Sequence, residues 1–525
     1  MSSESPQVTV LGGAEPAQLL DAFWGYEAAL MDDDLDVLAA YFSSDAGTMR
    51  ADANGLLVGP DAIAGFRGAR GGAPARSVER IEVRVLAPDL AYITAVNAPA
   101  AGGRGLVTQL WIRDGATDLL NSTSGGWRIR AAHVSAPPAA LDPRIWRVVG
   151  APLVAGVAQG PLAGETVAVK DIVAVEGFAI GAGVRAYLAQ APIERRSAPA
   201  VQSLLEAGAD LRGIAQTDQF AYSIAGLNPD YGTPPNPAVL GAIPGGSSSG
   251  PASAVALGHA SIGLGTDTAG SVRVPASYQG LWGLRPTHGA ISLEGVLPLA
   301  PSYDTVGLIT RDGDTLLRAS RAALGERESA GLGAYVSAPQ LLDALAPEVA
   351  EAFTALLASL GVTAQVPVPP VRALFETFRV TQSAQAWRSD GAWVEAHPGA
   401  LGSDIQARFD FARDVTAEQE QAGLVRLQEL TDALDTALGE SVLLLPSAAS
   451  SAPRIGTPAS ELNAIREATL AITAIAGFTG RPALSAPLMV TSTGPVGLCL
   501  VGPRGSDLAL IESALALESA LVQED

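Results

Sequence analysis

A change of texture beside Pro137-Pro138 sets the limits on how this chain folds. Before it, helical periodicity gives way to a run of strand-like segments; after it, strands, glycine-rich loops and helices alternate. Over 16–42, Leu19, Leu20, Phe23, Trp24, Tyr26, Ala29, Leu30 and Leu38 recur at helical spacing. Asp32-Asp33-Asp34 interrupts them as a solvated turn. Gly59-Pro60-Asp61 opens a short helix reaching Arg67, and 77–86, 90–98, 105–113 and 126–135 read as strands. Helices followed by antiparallel strands predict an α+β cone over 1–135. A linker is expected at 136–150. Beyond it, a strand at 166–169 ending at Lys170, a helix at 197–207, a strand at 211–215, a helix at 251–258 and a strand at 260–264 predict an α/β domain over 151–525. Its sites belong on the loops of the sheet. Residues 315–440 read as mostly helical.

The 525 residues suffice for roughly two to four domains, and 48% hydrophobic content supplies a large core. A net charge of −21 argues against nucleic-acid binding, which needs clustered cations. The N-terminus carries no basic and apolar leader, and no run of 18 or more apolar residues lacks Gly, Pro or charge. These features predict a cytoplasmic protein without a membrane partner. Cys499, the single cysteine, lies in an apolar run and reads as a buried thiol. His133, His259, His288 and His397 show no ligand spacing, so neither a metal nor another cofactor is expected.

Lys170 is the only lysine among 33 lysines plus arginines. A desolvated lysine can lose its proton and act as a base, which arginine cannot do. It stands in Val167-Ala168-Val169-Lys170-Asp171, a strand that delivers the amine into a loop. Two further segments carry chemistry: Pro244-Gly245-Gly246-Ser247-Ser248-Ser249-Gly250, a loop that opens a helix, and Gly265-Thr266-Asp267-Thr268-Ala269-Gly270-Ser271-Val272-Arg273-Val274-Pro275. A serine hydroxyl needs a base to become a nucleophile, no histidine lies in these loops, and a lysine depressed by desolvation can serve. Taken singly, the glycine-serine loop also fits a flexible turn or an anion-binding helix start, and Asp267 with Arg273 fits an ion pair bracing its loop.

Together the three segments resemble the amidase signature family of Ser–Ser–Lys hydrolases. The GGSSxG and GTDxGGSxRxP loops are both present, and Ser247 and Ser271 stand 24 positions apart, as in the family. The likeness continues through Leu281-Trp282-Gly283-Leu284-Arg285-Pro286-Thr287-His288-Gly289 and returns over 477–503. It implies an α/β amidase signature fold, a mixed sheet covered by helices. It also implies Ser271 as nucleophile, Ser247 in a cis peptide with Gly246 as bridge, Lys170 as base, and an oxyanion hole from the N–H groups of Thr268, Ala269, Gly270 and Ser271. Alanine at 269, where the family has glycine, leaves open whether that position needs a positive φ. Tyr222 falls in a substrate-facing segment of the family, in which Gln219 replaces an acid; it is a pocket candidate or, equally, a core aromatic, and Gly246 in the glycine-serine loop is a further pocket candidate. Arg185, Arg388, Arg408 and Arg413 are candidates to hold a substrate carboxylate, because arginine binds carboxylates bidentately.

The first segment resembles the AtzH-like branch of the NTF2-like fold, through Gly59-Pro60-Asp61-Ala62-Ile63 ending in Phe66-Arg67 and through Gly126-Trp127-Arg128-Ile129-Arg130. That likeness implies a packing or homodimerising module standing where the family carries a helical arm, with Arg50, Trp111 and His133 either lining a cone pocket or packing in its core and rim. The expected function is hydrolysis of a small amide or ureido acid through a seryl acyl-enzyme. An ammonia-releasing amidotransferase subunit and a non-catalytic binding module are the alternatives.

Overall fold

Alternation of apolar and polar residues along 76–87, 90–99, 105–113 and 127–135 folds as strands whose every second side chain turns inward. The computed structural model describes residues 6–52, 55–70, 73, 76–99, 105–113, 124–135, 142–325 and 329–524. The chain divides into two units, Met1–Ala140 and Leu141–Asp525.

In the first unit, β1 (Gln7–Leu11), β2 (Met49–Asp52), β3 (Gly55–Val58), β4 (Arg76–Ala87), β5 (Leu90–Pro99), β6 (Gly105–Arg113) and β7 (Trp127–Ser135) form one sheet in the order β1-β4-β5-β6-β7-β2-β3. The four longest pair antiparallel in sequence, as the pattern predicts. Their inward residues Ile81, Val83, Ile93, Trp111 and Ile129 pack with Leu19, Phe23 and Tyr26 of the helix Leu19–Met31. The acidic turn ends that helix. Asp33 takes φ 53°, and the Asp34 carboxylate caps the next helix, Leu35–Ala40, by accepting the Val37 N–H at 3.1 Å. The helix from Gly59-Pro60 runs over Pro60–Arg70. Of the three residues considered for a cone pocket, Trp111 is fully buried and donates its indole N–H to Gln109. Arg50 is buried in an ion pair with Asp52 and lies over the Phe66 ring. His133 does not join them: next to buried Ala132, it turns outward and is exposed.

Residues 136–141 of the expected linker lie outside the described residues. Its later part is not a linker: β8 (Trp146–Val154) pairs antiparallel with β10 (Asp210–Ala215). The other strands of the second unit are β9 (Thr166–Lys170), β11 (Ile262–Asp267), β12 (Trp282–Arg285), β13 (Thr305–Thr310), β14 (Tyr335–Val336), β15 (Val442–Pro446), β16 (Ala483–Thr491) and β17 (Gly494–Val501). They form a mixed sheet in the order β14-β15-β17-β16-β12-β13-β11-β9-β10-β8. β9 lies parallel to both β10 and β11, so all three strands end on one side. β9 and β11 are almost wholly buried, which requires cover on both faces and explains their continuous small and apolar composition. Cys499 is buried in β17. The 315–440 region is helical, as expected, over Gly313–Leu324, Pro347–Ser359, Val371–Ala396, Ser403–Asp414 and Ala417–Leu438, with short β14 between the first two. Among the described residues, no helix is long and apolar enough to cross a membrane.

Candidate active site

Parallel strands that end together bring their following loops together. Lys170 is the last residue of β9, and Thr266 and Asp267 are the last of β11. Lys170 is fully buried and makes no ion pair among the described residues. Its Nζ donates to Ser247 Oγ at 2.8 Å and to Thr266 Oγ1 at 2.8 Å. Burial pushes Lys170 down to about 7, against the opposing pull of Asp218, Asp267 and Asp304. The sequence reading missed Thr266, although it lies inside a quoted motif. Its role emerges only when β11 is laid beside β9.

The glycine-serine loop enters the helix Ser249–Ala256. Its Gly246–Ser247 peptide is cis. The Ser247 carbonyl accepts from Thr217 Oγ1 at 2.8 Å. Gly246 is not among the residues that line the cavity at Ser271 or the larger one beside it. It is buried so closely against Asp218 that a Cβ there would meet a carboxylate oxygen at 2.4 Å, so only glycine fits. Asp218 in turn accepts from the Gly226 N–H and from Ser249 Oγ, while burial raises its pKa.

Ser271 sits between β11 and the helix Arg273–Tyr278. Its carbonyl accepts the Ser248 N–H at 3.2 Å, which joins the two serine loops through the residue next to Ser247. No hydrogen bond links the side chain of Ser271 to Ser247 or Lys170 among the described residues. Ser271 lines a cavity of about 10 Å³ with Thr268, Ala269, Tyr222 and Arg466, a space on the scale of one water.

Asp267 braces this loop. Its carboxylate meets Arg273 at 2.9 Å and Arg285 at 3.2 Å, all three side chains being fully buried, and accepts the Gly270 and Val272 N–H groups. Burial alone would raise Asp267, but Arg273, then Arg285 and the Gly270 N–H outweigh it and hold the carboxyl well below the usual range. The Gly270 N–H, expected in the oxyanion hole, is thus engaged at 2.8 Å with Asp267. The N–H groups of Thr268, Ala269 and Ser271 make no hydrogen bond among the described residues. The positive φ falls on Gly270, at 124°, and not on Ala269, so the alanine methyl is accommodated without strain. Thr268 Oγ1 donates to Asp304 at 2.6 Å, and Thr473 Oγ1 donates to the Ala269 carbonyl at 2.5 Å, fixing the loop from two further sides.

Tyr222 lines the Ser271 cavity and bonds Ser383 at 2.8 Å. Gln219 bridges the Gly402 N–H and Asp230 where a second acid would repel. Of the four arginines singled out, only Arg408 reaches the pocket. Arg185 is exposed and tied to Asp230, Arg388 pairs with Glu420 at the surface, and Arg413 pairs with Asp410 and Asp414. Each was marked only by being an arginine, and each has found a local acid or carbonyl instead. Arg379 and Arg466 were missed: they line a cavity of about 260 Å³ with Arg408.

Residues 151–379 match the model of the Amidase family, and residues 13–139 match the AtzH-like model. The chain is 35% identical over 396 residues to Amidase 1 of Arabidopsis thaliana, covering 68% of this chain and 93% of that relative. It is 33% identical over 399 residues to 2-amino-5-chloromuconic acid deaminase of Comamonas testosteroni, covering 69% and 83% respectively. A solved amidase structure matches with a TM-score of 0.63 at 30% identity, over 69% of this chain and 86% of that one. With its mixed, helix-covered sheet and the loops that meet at Lys170, the chain belongs to the amidase signature family and carries an AtzH-like domain in its N-terminal part.

Proposed function

We propose that this amide hydrolase works on small amides through an acyl-enzyme on Ser271. The observation that carries the reading is the 2.8 Å contact between Ser247 and a fully buried lysine with no counter-ion among the described residues. An amine pushed down to about 7 is substantially uncharged at neutral pH and can accept a proton. Ser271 Oγ attacks the amide carbon while its proton passes through Ser247 Oγ to Lys170 Nζ. The tetrahedral oxyanion takes hydrogen bonds from the N–H groups of Thr268, Ala269 and Ser271. The C–N bond breaks as Lys170, through Ser247, returns the proton to the leaving nitrogen, giving an amine or ammonia and a seryl ester. Water then attacks the ester by the same relay and releases the acid. Ser271 lies beside the small cavity, and substrate entry supplies the approach that joins it to the relay. The N-terminal unit serves packing or self-association, and the protein acts in the cytoplasm.

The test is covalent. Phenylmethylsulfonyl fluoride should place one adduct on Ser271 by mass spectrometry, and Lys170→Ala should slow labelling about a hundredfold or more. Folded protein that stays unmodified, or an adduct that forms equally fast without Lys170, sinks the proposal.

A further inference from the structure

The cavity of about 260 Å³ and the small cavity at Ser271 share Tyr222, Gln382, Arg466 and Leu470, so the larger space adjoins the one that Ser271 lines. Its charge is unbalanced. Arg379, Arg408 and Arg466 line it against Asp404 and Glu467, three guanidiniums to two carboxylates. Arg408 is accounted for, with Asp404 at 3.5 Å and the Tyr222 carbonyl as acceptors. Arg379 lies over the Phe411 ring at 4.0 Å and makes no ion pair among the described residues. Arg466 has neither an ion pair nor a hydrogen bond among the described residues, and its enclosed Nε is orphaned. Among the described residues it is also the one charged side chain that lines the small cavity beside Ser271. A cation held in a cavity wall without an acceptor leaves its hydrogen-bonding capacity for whatever enters.

We infer that the substrate is an amide bearing a second, carboxylate end, which Arg466 receives in the larger cavity with Arg379 at its rim while the amide carbon lies at Ser271. The inference rests on the amide-hydrolase reading above and deepens it. The reaction converts an ω-amide monoacid and water into a dicarboxylate and ammonia. The apolar wall of Phe375, Phe378 and Leu470 suits the chain between the two ends. Arginine fits this task because its fork takes both oxygens of a carboxylate. The anionic end thereby sets the register of the scissile bond.

Two measurements test it. In the first, malonamate, succinamate, glutaramate and adipamate are hydrolysed beside the neutral n-alkyl amides of the same length. At least one acid should exceed its neutral partner in kcat/KM by about tenfold or more, the worth of one charge-assisted hydrogen-bonded pair. Arg466→Gln should lower that acid-to-neutral ratio by about the same factor, and Arg466→Lys should restore part of it. Arg379→Gln, at an exposed position, should give a smaller loss and serves as the second variant should Arg466→Gln fail to fold. An acid-to-neutral ratio near one, or one that Arg466→Gln leaves in place, overturns the inference while amide hydrolysis stands. In the second, calorimetry with the product-like dicarboxylates succinate and glutarate reads the same pocket without chemistry. Arg466-dependent binding in a protein that hydrolyses no amide and takes no adduct on Ser271 supports the carboxylate site and removes the hydrolase reading. No binding and no turnover overturns both.

Discussion

At the scale of single residues, the site turns on how one buried amine holds its proton. Lys170 makes no ion pair among the described residues, and burial, outweighing the pull of Asp218, Asp267 and Asp304, lowers its pKa to about 7, from a value near 10.4 in water. The consequence for rate has a definite sign. Below that midpoint the amine is protonated and accepts nothing, so kcat/KM for a neutral amide should fall about tenfold per pH unit toward acid and level off above it. A pH–rate profile reads this directly, and a flat line from pH 5.5 to 8.5 would exclude Lys170 as the base. Stability follows the same shift. Between about 7 and about 10.4 the unfolded chain binds the proton that the folded chain does not, so the fold gains stability as pH rises through that window and loses it toward neutrality. An ion-paired lysine would behave in the opposite way.

At the scale of elements, the segment from β11 to the helix Arg273–Tyr278 is organised around Asp267. Replacing it by asparagine keeps the shape and removes the charge between two fully buried guanidiniums. Breaking a buried pair from one side costs about 3–5 kcal/mol. Asp267→Asn should therefore lower the urea midpoint of the catalytic unit markedly, and a variant as stable as its parent would mean the pair is dispensable. The sequence disclosed this element well, because Gly-Thr-Asp and Ser-Val-Arg-Val-Pro are fixed in order along one stretch of chain. Strands β4 to β7 were equally legible, since their alternation is local. Strand β8 was not. It carries glycine and proline and is only half-buried at the edge of the sheet, so its pairing with β10 leaves little imprint on its own residues. Strands β1, β2 and β3 are short, and no strand was assigned to them for the same reason. Arg466 was invisible on other grounds. It lies 195 positions from Ser271 in an ordinary helical pattern, and only the packing of the helix Ala459–Thr479 brings it to the serine. Chemistry carried by contiguous loops can be read from sequence, whereas a pocket built by distant helices depends on the fold.

At the scale of the whole molecule, the described apolar side chains gather into distinct cores. One, around Phe23, Ile93, Trp111 and Ile129, belongs to the N-terminal unit. The large one, around Val169, Leu264, Leu308 and Leu444, belongs to the catalytic unit. A residue's contribution to stability is delivered through the core it packs in, so a cavity in one core should loosen that unit and leave the other folded. Phe23 is fully buried in the N-terminal core. Phe23→Ala should remove about 3–5 kcal/mol there. Amide hydrogen exchange followed by mass spectrometry should then quicken by about a hundredfold or more in peptides from β4 to β7. Peptides from β9 and β11 should keep the parent's protection, and the rate of adduct formation on Ser271 should stay at the parent's value. If exchange in β9 and β11 rises in step, the two cores unfold as a single cooperative body. The N-terminal unit would then be a necessary brace for Lys170, and not a separate module joined to a self-sufficient catalyst.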